Sequence, residues 1–174
     1  KKWYKKSIEM YAMVDPELLP EFDKSEASFK KGYSHFVLKE FKEGKTDLSR
    51  TKEIQNIYFY PANYYYGLCD YFTGNYAGAI SSFDKVKNND VYRSFVPYYI
   101  TQIYFAQNNS EKVIEYGEAS LKDENLRNRK EIRQLIGQSY FKLKAYEKAL
   151  PHLEFYEANT DKLTIEEFFQ IGFT

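Results

Sequence analysis

Cysteine is nearly missing from this chain of 174 residues, and so are histidine and tryptophan: one Cys, two His and one Trp. Cys69 alone can build neither an internal disulfide nor a thiolate metal cluster. Five prolines and eight glycines are too few to punctuate the many tight turns of a sheet protein. Net charge is absent too, since 25 Lys+Arg balance 25 Asp+Glu. That balance argues against a nucleic-acid partner, which needs clustered, uncompensated basic residues. No run approaches the ~20 apolar residues of a membrane span, so direct membrane insertion is not expected. The opening K-K-W-Y-K-K has charge but no apolar stretch behind it, and does not read as a secretory leader. The nucleotide loops G-x-x-x-x-G-K-[ST] and G-x-G-x-x-G are missing. So is the G-x-S-x-G elbow.

What the chain has is aromatic residues, 19% of it, from 18 Tyr, 14 Phe and the one Trp. It also has self-similarity. The stretch 66–83, Y-G-L-C-D-Y-F-T-G-N-Y-A-G-A-I-S-S-F, aligns with 136–153, I-G-Q-S-Y-F-K-L-K-A-Y-E-K-A-L-P-H-L. With glycine as anchor, the anchor slot recurs at Gly32, Gly67, Thr101, Gly137 and Gly172, in steps of 35, 34, 36 and 35 residues. Twelve after the anchor stand Gly44, Ala79, Val113 and Ala149; sixteen after stand Leu48, Phe83, Gly117 and Leu153. Small residues at the anchor and twelve later suit two helices that approach closely, with the larger ones filling the space between.

The repeat resembles the tetratricopeptide repeat (TPR), a 34-residue helix–turn–helix unit. Gly67, Gly74, Tyr76, Ala79 and Phe83 carry the resemblance, as do Gly137, Tyr140, Tyr146, Ala149 and Leu153. The copy around Thr101 is degenerate, and the first copy places Gly44 and Lys45 where an Ala and an aliphatic are usual. The implied fold is all-α, a right-handed α-solenoid of about four complete repeats, in one segment covering residues 1–174. Repeats are expected at 25–58, 60–92, 94–127 and 130–162, with partial repeats at 1–20 and 164–174. Residues 3–14 read as a second helix without its first, Ser7, Ile8 and Tyr11 filling the slots twelve, thirteen and sixteen after an anchor. Residues 164–174 read as a first helix, so a piece of a longer array, or one with disordered flanks, is expected. Period-3.6 patterning predicts helices at 2–14, 23–40, 43–55, 60–73, 76–88, 94–107, 110–122, 128–143, 146–158 and 164–174. Asp15-Pro16, Asn88-Asn89-Asp90 and Asn159-Thr160-Asp161 supply turns, and Thr164-x-x-Glu167 reads as a capping box.

Titratable residues point to no enzyme. His35 shares the slot of Tyr104 and Tyr140, three after the anchor, and reads as a hydrogen-bonded core histidine; His152 reads as a surface residue. No spacing matches a zinc site, so neither metal nor cofactor is expected. Glu166-Glu167 and Asp123-Glu124 read as solvated charge.

The aromatics fall in slots that the family leaves variable. Three before the anchor stand Phe29, Tyr64, Tyr98 and Gln134; one after, Tyr33, Leu68, Gln102 and Gln138; four after, Phe36, Tyr71, Phe105 and Phe141. These slots share one face of the first helix, which in the TPR superhelix lines the concave groove. Residues 61–120 hold 14 of the 33 aromatics but only 10 of the 50 charges, which suits an apolar docking surface. Two readings stay open: a groove for a protein or extended peptide, or rings buried by neighbouring helices or by a flank. Phe29, Tyr33, Tyr64 and Leu68 replace the Lys and Asn of the TPR carboxylate clamp, so a chaperone-tail clamp is not expected. A glycan-binding helical protein, of the kind some TPR-built outer-membrane proteins represent, and a self-associating segment with open ends are the alternatives. The segments 62–66 (A-N-Y-Y-Y), 97–105 (P-Y-Y-I-T-Q-I-Y-F) and 135–141 (L-I-G-Q-S-Y-F) resemble large multi-repeat TPR proteins of Bacteroidetes envelopes, which implies a periplasmic scaffold, with the cytoplasm as the alternative.

Overall fold

The structure, a computed structural model, describes residues 1–15 and 18–174. Among these residues it has ten α-helices and no strand: α1 (Lys2–Ala12), α2 (Glu21–Val37), α3 (Phe41–Thr51), α4 (Phe59–Phe72), α5 (Tyr76–Val86), α6 (Val96–Ala106), α7 (Ser110–Ser120), α8 (Arg129–Lys142), α9 (Tyr146–Ala158) and α10 (Ile165–Phe173). Every helix expected from the periodicity is present, each end within four residues. Pro16, half of the first expected turn, lies outside the described residues.

The helices form two compact units, residues 1–92 and 93–174. In the first, each of α1 to α5 packs on the next and α2 also meets α4. In the second, α6 to α10 follow the same order and α6 meets α8. Within each unit, therefore, the first helices of successive pairs, α2 with α4 and α6 with α8, are neighbours, as stacked helix–turn–helix pairs require.

The tight turn inside each pair is written in its hydrogen bonds. The seventh residue after each anchor is left-handed: Lys39 (φ 66°) and Gly74 (φ 80°) in the first unit, Asn108 (φ 54°) and Lys144 (φ 60°) in the second. Its N–H donates to the carbonyl three residues back, in turn Phe36, Tyr71, Phe105 and Phe141, at 2.9–3.1 Å. The following N–H donates five back, to His35, Asp70, Tyr104 and Tyr140, at 2.8–3.0 Å. This pair of hydrogen bonds is the Schellman ending, which satisfies the last carbonyls of a helix and reverses the chain. Glycine and asparagine take the left-handed conformation readily, whereas a lysine there is strained by about 1–2 kcal/mol. Asn75 and Asn109 then cap α5 and α7, their side chains accepting from Gly78 N (3.4 Å) and Lys112 N (3.1 Å).

The anchors do what their spacing implies. A Cβ on Gly32 would lie 2.7 Å from Leu48 Cγ, and one on Gly44 would lie 3.0 Å from the Gly32 carbonyl. Here α2 and α3 approach backbone to backbone. In the second unit, a Cβ on Gly137 would lie 2.7 Å from Leu153 Cδ2. Leu48, Phe83, Ile136 and Leu153 are fully buried in these seams; burying each contributes about 1.5–3 kcal/mol. The capping box at α10 forms as its spacing predicts: Thr164 Oγ1 accepts from Glu167 N (3.2 Å) and Glu167 Oε2 accepts from Thr164 N (2.7 Å). Pro151 sits inside α9 without ending it.

Candidate partner-binding face

In the first unit the aromatic slots of α2 and α4 join with residues beyond them into one continuous set of ring contacts. Phe22 lies 5.8 Å from Tyr58, and Tyr58 lies 5.3 Å from Phe29. Phe29 stacks on Tyr33 (6.1 Å). Tyr65 stands at the centre, 4.8 Å from Tyr33 and 5.0 Å from Phe36. Phe36 continues to Phe41 (5.8 Å), which stacks on Phe72 at 4.8 Å. Tyr71 follows, edge-on to Phe72 and 6.4 Å from Tyr76. Edge and offset contacts of this kind add about 0.5–1.5 kcal/mol each beyond the area buried. Burial, with the nearby Tyr33 hydroxyl, pushes the Tyr65 phenol well above its usual range; burial also raises Tyr58 and Tyr92.

The predicted residues separate by exposure. Phe29, Tyr33, Phe36 and Tyr71 are half-buried, each with part of its ring in solvent. The ends of the set, Phe22 and Phe72, are 48% and 50% exposed. Tyr64 and Leu68 are only 8% and 3% exposed. Tyr64 stacks on Tyr92 at 4.5 Å and lies 6.3 Å from Phe83. The chain after α5 brings Tyr92 over the slot that the periodicity leaves open, so Tyr64 and Leu68 are packing residues here. Tyr65, Tyr58, Phe41 and Phe72 are members that the three slots do not include. The run Y-Y-Y at 64–66 was the available signal, because two adjacent rings on a helix cannot both face inward.

The second unit presents the same slots with different chemistry. Tyr98 Oη accepts from Gln102 Nε2 at 2.6 Å, and burial raises the Tyr98 phenol above its usual value, with Glu131 adding to the rise. Phe105 lies under the Lys142 ammonium, 4.1 Å from ring centre to Nζ, a cation–π contact. Gln134 donates to the Glu167 carboxylate on α10. Phe141 is edge-on to Phe173 (5.9 Å), Phe169 (6.4 Å) and Tyr146 (5.3 Å). Gln138 is half-buried. All six predicted residues of this unit, Tyr98, Gln102, Phe105, Gln134, Gln138 and Phe141, keep part of their surface in solvent.

The two off-pattern residues of the first unit explain each other. Lys45 stands where an aliphatic is usual and Asp70 where an aromatic is usual, and the two form an ion pair between α3 and α4. Asp70 is 1% exposed and also accepts from Asn75 Nδ2 at 2.9 Å. That bond with Asp70 raises the Lys45 ammonium above its ordinary value. A Cβ on Gly78 would lie 2.4 Å from Asp70 Oδ2, so the carboxylate occupies the space of that side chain. His35 is the covered, hydrogen-bonded histidine expected, with Nδ1 2.7 Å from Glu40 Oε2 and Nε2 3.5 Å from Asp47 Oδ2.

His152 is not the surface residue that its sequence position suggests. Its side chain is 13% exposed, 4.0 Å from Glu118 Oε1 and 6.0 Å from the Tyr140 ring. Burial and the neighbouring Arg133 lower its pKa, against the pull of Glu118. The Cys69 thiol is buried, and burial pushes it up to about 12. Among the described residues no group of three or more His, Cys, Asp or Glu could hold a metal ion. No helix among them is long and apolar enough to cross a membrane.

No protein-family model matches the chain, and no curated protein does. Solved structures match its fold. MamA of AMB-1 superposes with a TM-score of 0.75 at 17% identity, over 97% of this chain and 88% of that one. The C-terminal part of a TPR repeat-containing protein from Cytophaga hutchinsonii gives 0.71 at 17% identity, over 88% of this chain and 58% of that one. PilF of Pseudomonas aeruginosa gives 0.68 at 14% identity, over 97% and 82%. Left-handed turns at one fixed slot, close-packed anchors and these likenesses agree: the chain has the TPR fold, an all-helical stack of helix–turn–helix pairs.

Proposed function

We propose that the chain is a non-enzymatic scaffold, a single TPR segment whose first helices bind a protein or an extended peptide. The carrying observation is the continuous, half-exposed aromatic set from Phe22 to Phe72 in the first unit. Contiguous exposed apolar surface marks interaction sites, and tyrosine offers contact area at low entropic cost. The binding residues are then Phe29, Tyr33, Phe36 and Tyr71, with Tyr65, Phe72 and Phe22 added. In the second unit, Tyr98, Gln102, Phe105, Gln134, Gln138 and Phe141 offer amides beside rings, suited to the backbone of an extended ligand. The compartment we propose is the periplasm or envelope; support comes from the segments 62–66, 97–105 and 135–141.

The test is selection of peptides from a random library on the parent protein, followed by titration against Phe22→Ala and Phe72→Ala. Both rings are about half exposed, so helicity should hold while affinity falls at least tenfold. Because the contacts are apolar, affinity should change little between low and high salt. Selection of no peptide, or equal binding by the variants, would sink the reading. Binding of soluble glycans in place of peptides would move it to the carbohydrate class.

A further inference from the structure

In both units the slot four after one anchor meets the slot five after the next, and the two units fill this pair differently. In residues 93–174 the pair is Phe105, four after Thr101, and Lys142, five after Gly137. The Lys142 ammonium lies 4.1 Å from the centre of the Phe105 ring. In residues 1–92 the pair is Phe36, four after Gly32, and Phe72, five after Gly67. Their ring centres are 6.3 Å apart. Where the second unit supplies its own ammonium, the first supplies another ring.

The rings around Phe36 are tilted rather than stacked on it. Tyr65, Phe41 and Phe72 stand at 56°, 53° and 43° to it. Rings set at such angles cannot all hide their faces in one another, and Phe36 is only half-buried while Phe72 is half exposed. A ring face carries the negative end of the quadrupole and attracts a cation. The chain uses that attraction elsewhere: Lys45 and Lys52 lie over Tyr66 at 5.2 and 4.8 Å, and Arg133 over Phe155 at 4.5 Å. Among the described residues, no lysine or arginine lies over Phe36, Phe41, Tyr65 or Phe72. Lys30, on the same helix as Phe36, is paired with Glu26.

We infer that the first unit's aromatic face takes a basic peptide segment of a partner protein. A lysine or arginine of that segment holds over Phe36 the place that Lys142 holds over Phe105. The inference rests on the reading of this face as a peptide-binding surface and names the chemistry of what it binds. A half-exposed ring suits such a side chain: its methylene stem covers apolar surface while the charged head stays in water. The four rings carry no net charge, so the preference for a cation comes from their quadrupoles and not from an ion pair. It should therefore survive added salt.

The experiment titrates peptides selected from a random library on the parent protein. They should be rich in lysine or arginine. Each lysine that sits on a ring is then replaced by norleucine, which keeps the stem and removes the charge, or by trimethyl-lysine, which keeps the charge and removes the N–H donors. Norleucine should weaken binding about fivefold, and trimethyl-lysine should bind as lysine does, at low and high salt alike. The variant Phe72→Lys gives the first unit the ammonium that the second already has, and should lower affinity for the lysine peptide to that of the norleucine peptide. Circular dichroism checks its helicity, and the peptide comparison on the parent stands whether or not the variant folds. Selected peptides without basic residues, or norleucine binding as well as lysine, overturn the inference and leave the aromatic face as a peptide site. A lysine preference that vanishes in high salt, or tight binding of the lysine peptide by helical Phe72→Lys, overturns it too. Selection of no peptide at all removes this inference together with the reading on which it rests.

Discussion

The slot three after the anchor holds His35 and Asp70 in residues 1–92, but Tyr104 and Tyr140 in residues 93–174. Each is satisfied locally. Asp70 takes Lys45 and His35 takes Glu40 and Asp47. Tyr104 packs edge-on to Tyr116 at 5.9 Å, and Tyr140 donates to Glu118 at 2.7 Å. The same holds three before the anchor, where Tyr64 is stacked and buried while Gln134 bonds Glu167. The repeat geometry rests on the anchors and the left-handed turn. The slots between them take ionic, phenolic or amide chemistry, provided that the facing slot changes with them.

The sharpest way to break this comparison is to empty the same slot in both units. Tyr64→Ala should cost about 3–4 kcal/mol, the usual loss for a buried ring, and hydrogen exchange should show residues 1–92 opening first. Gln134→Ala should cost under about 1 kcal/mol, as loss of one partly exposed hydrogen bond does. Equal losses in denaturant titrations would mean that the two units do not differ in what this slot supports.

That contrast also shows what could be read from the residues alone. The helices were legible because the 34–36-residue step repeats the whole pattern of anchors and turns. The face on each first helix was legible as a periodicity. Periodicity names a direction, however, and not what covers it: Tyr92 lies after α5, and nothing in the −3 slot announces that it will stack on Tyr64. The covered position of His152 came from Glu118, on the preceding repeat's second helix, and from Arg133 and Tyr140 on α8. The pairing of Lys45 with Asp70 had a signal, two departures from pattern in facing slots of consecutive repeats, that only geometry joins.

A second prediction tests that pairing. Asp70→Asn should cost about 2 kcal/mol by leaving Lys45 without its buried partner, less than the roughly 3–5 kcal/mol of fully buried pairs because the lysine is one-third exposed. Converting the pair to the chemistry of the second unit, Asp70→Tyr with Lys45→Leu, should recover most of that loss, since apolar replacements of buried pairs are often neutral. A double variant no better than the single one would show that these slots are not interchangeable. Next in size is Gly44→Ala, expected to cost about 1–2 kcal/mol by overpacking, because its Cβ would press on the Gly32 carbonyl. Ala149, in the same slot of the second unit, is already an alanine, and Ala149→Gly should cost about 1 kcal/mol for the opposite reason.

The smallest effect is a pH dependence. His152 has its pKa lowered in the folded chain, so the unfolded chain binds the proton more readily. Its contribution is complete above the unfolded value near 6.5 and is lost as the pH falls through the lower folded value. Melting temperature should therefore fall between about pH 7 and 5, and His152→Gln should flatten that slope. An unchanged slope would place the acid sensitivity elsewhere.

Cys69 gives the first unit a private reporter. It is the sole thiol of the chain, sealed beneath Gly44 and held almost wholly protonated at neutral pH by its raised pKa. A thiol-reactive dye reaches it only when α4 separates from α3. The labelling rate then counts openings of residues 1–92 one at a time, while residues 93–174, without a cysteine, stay silent.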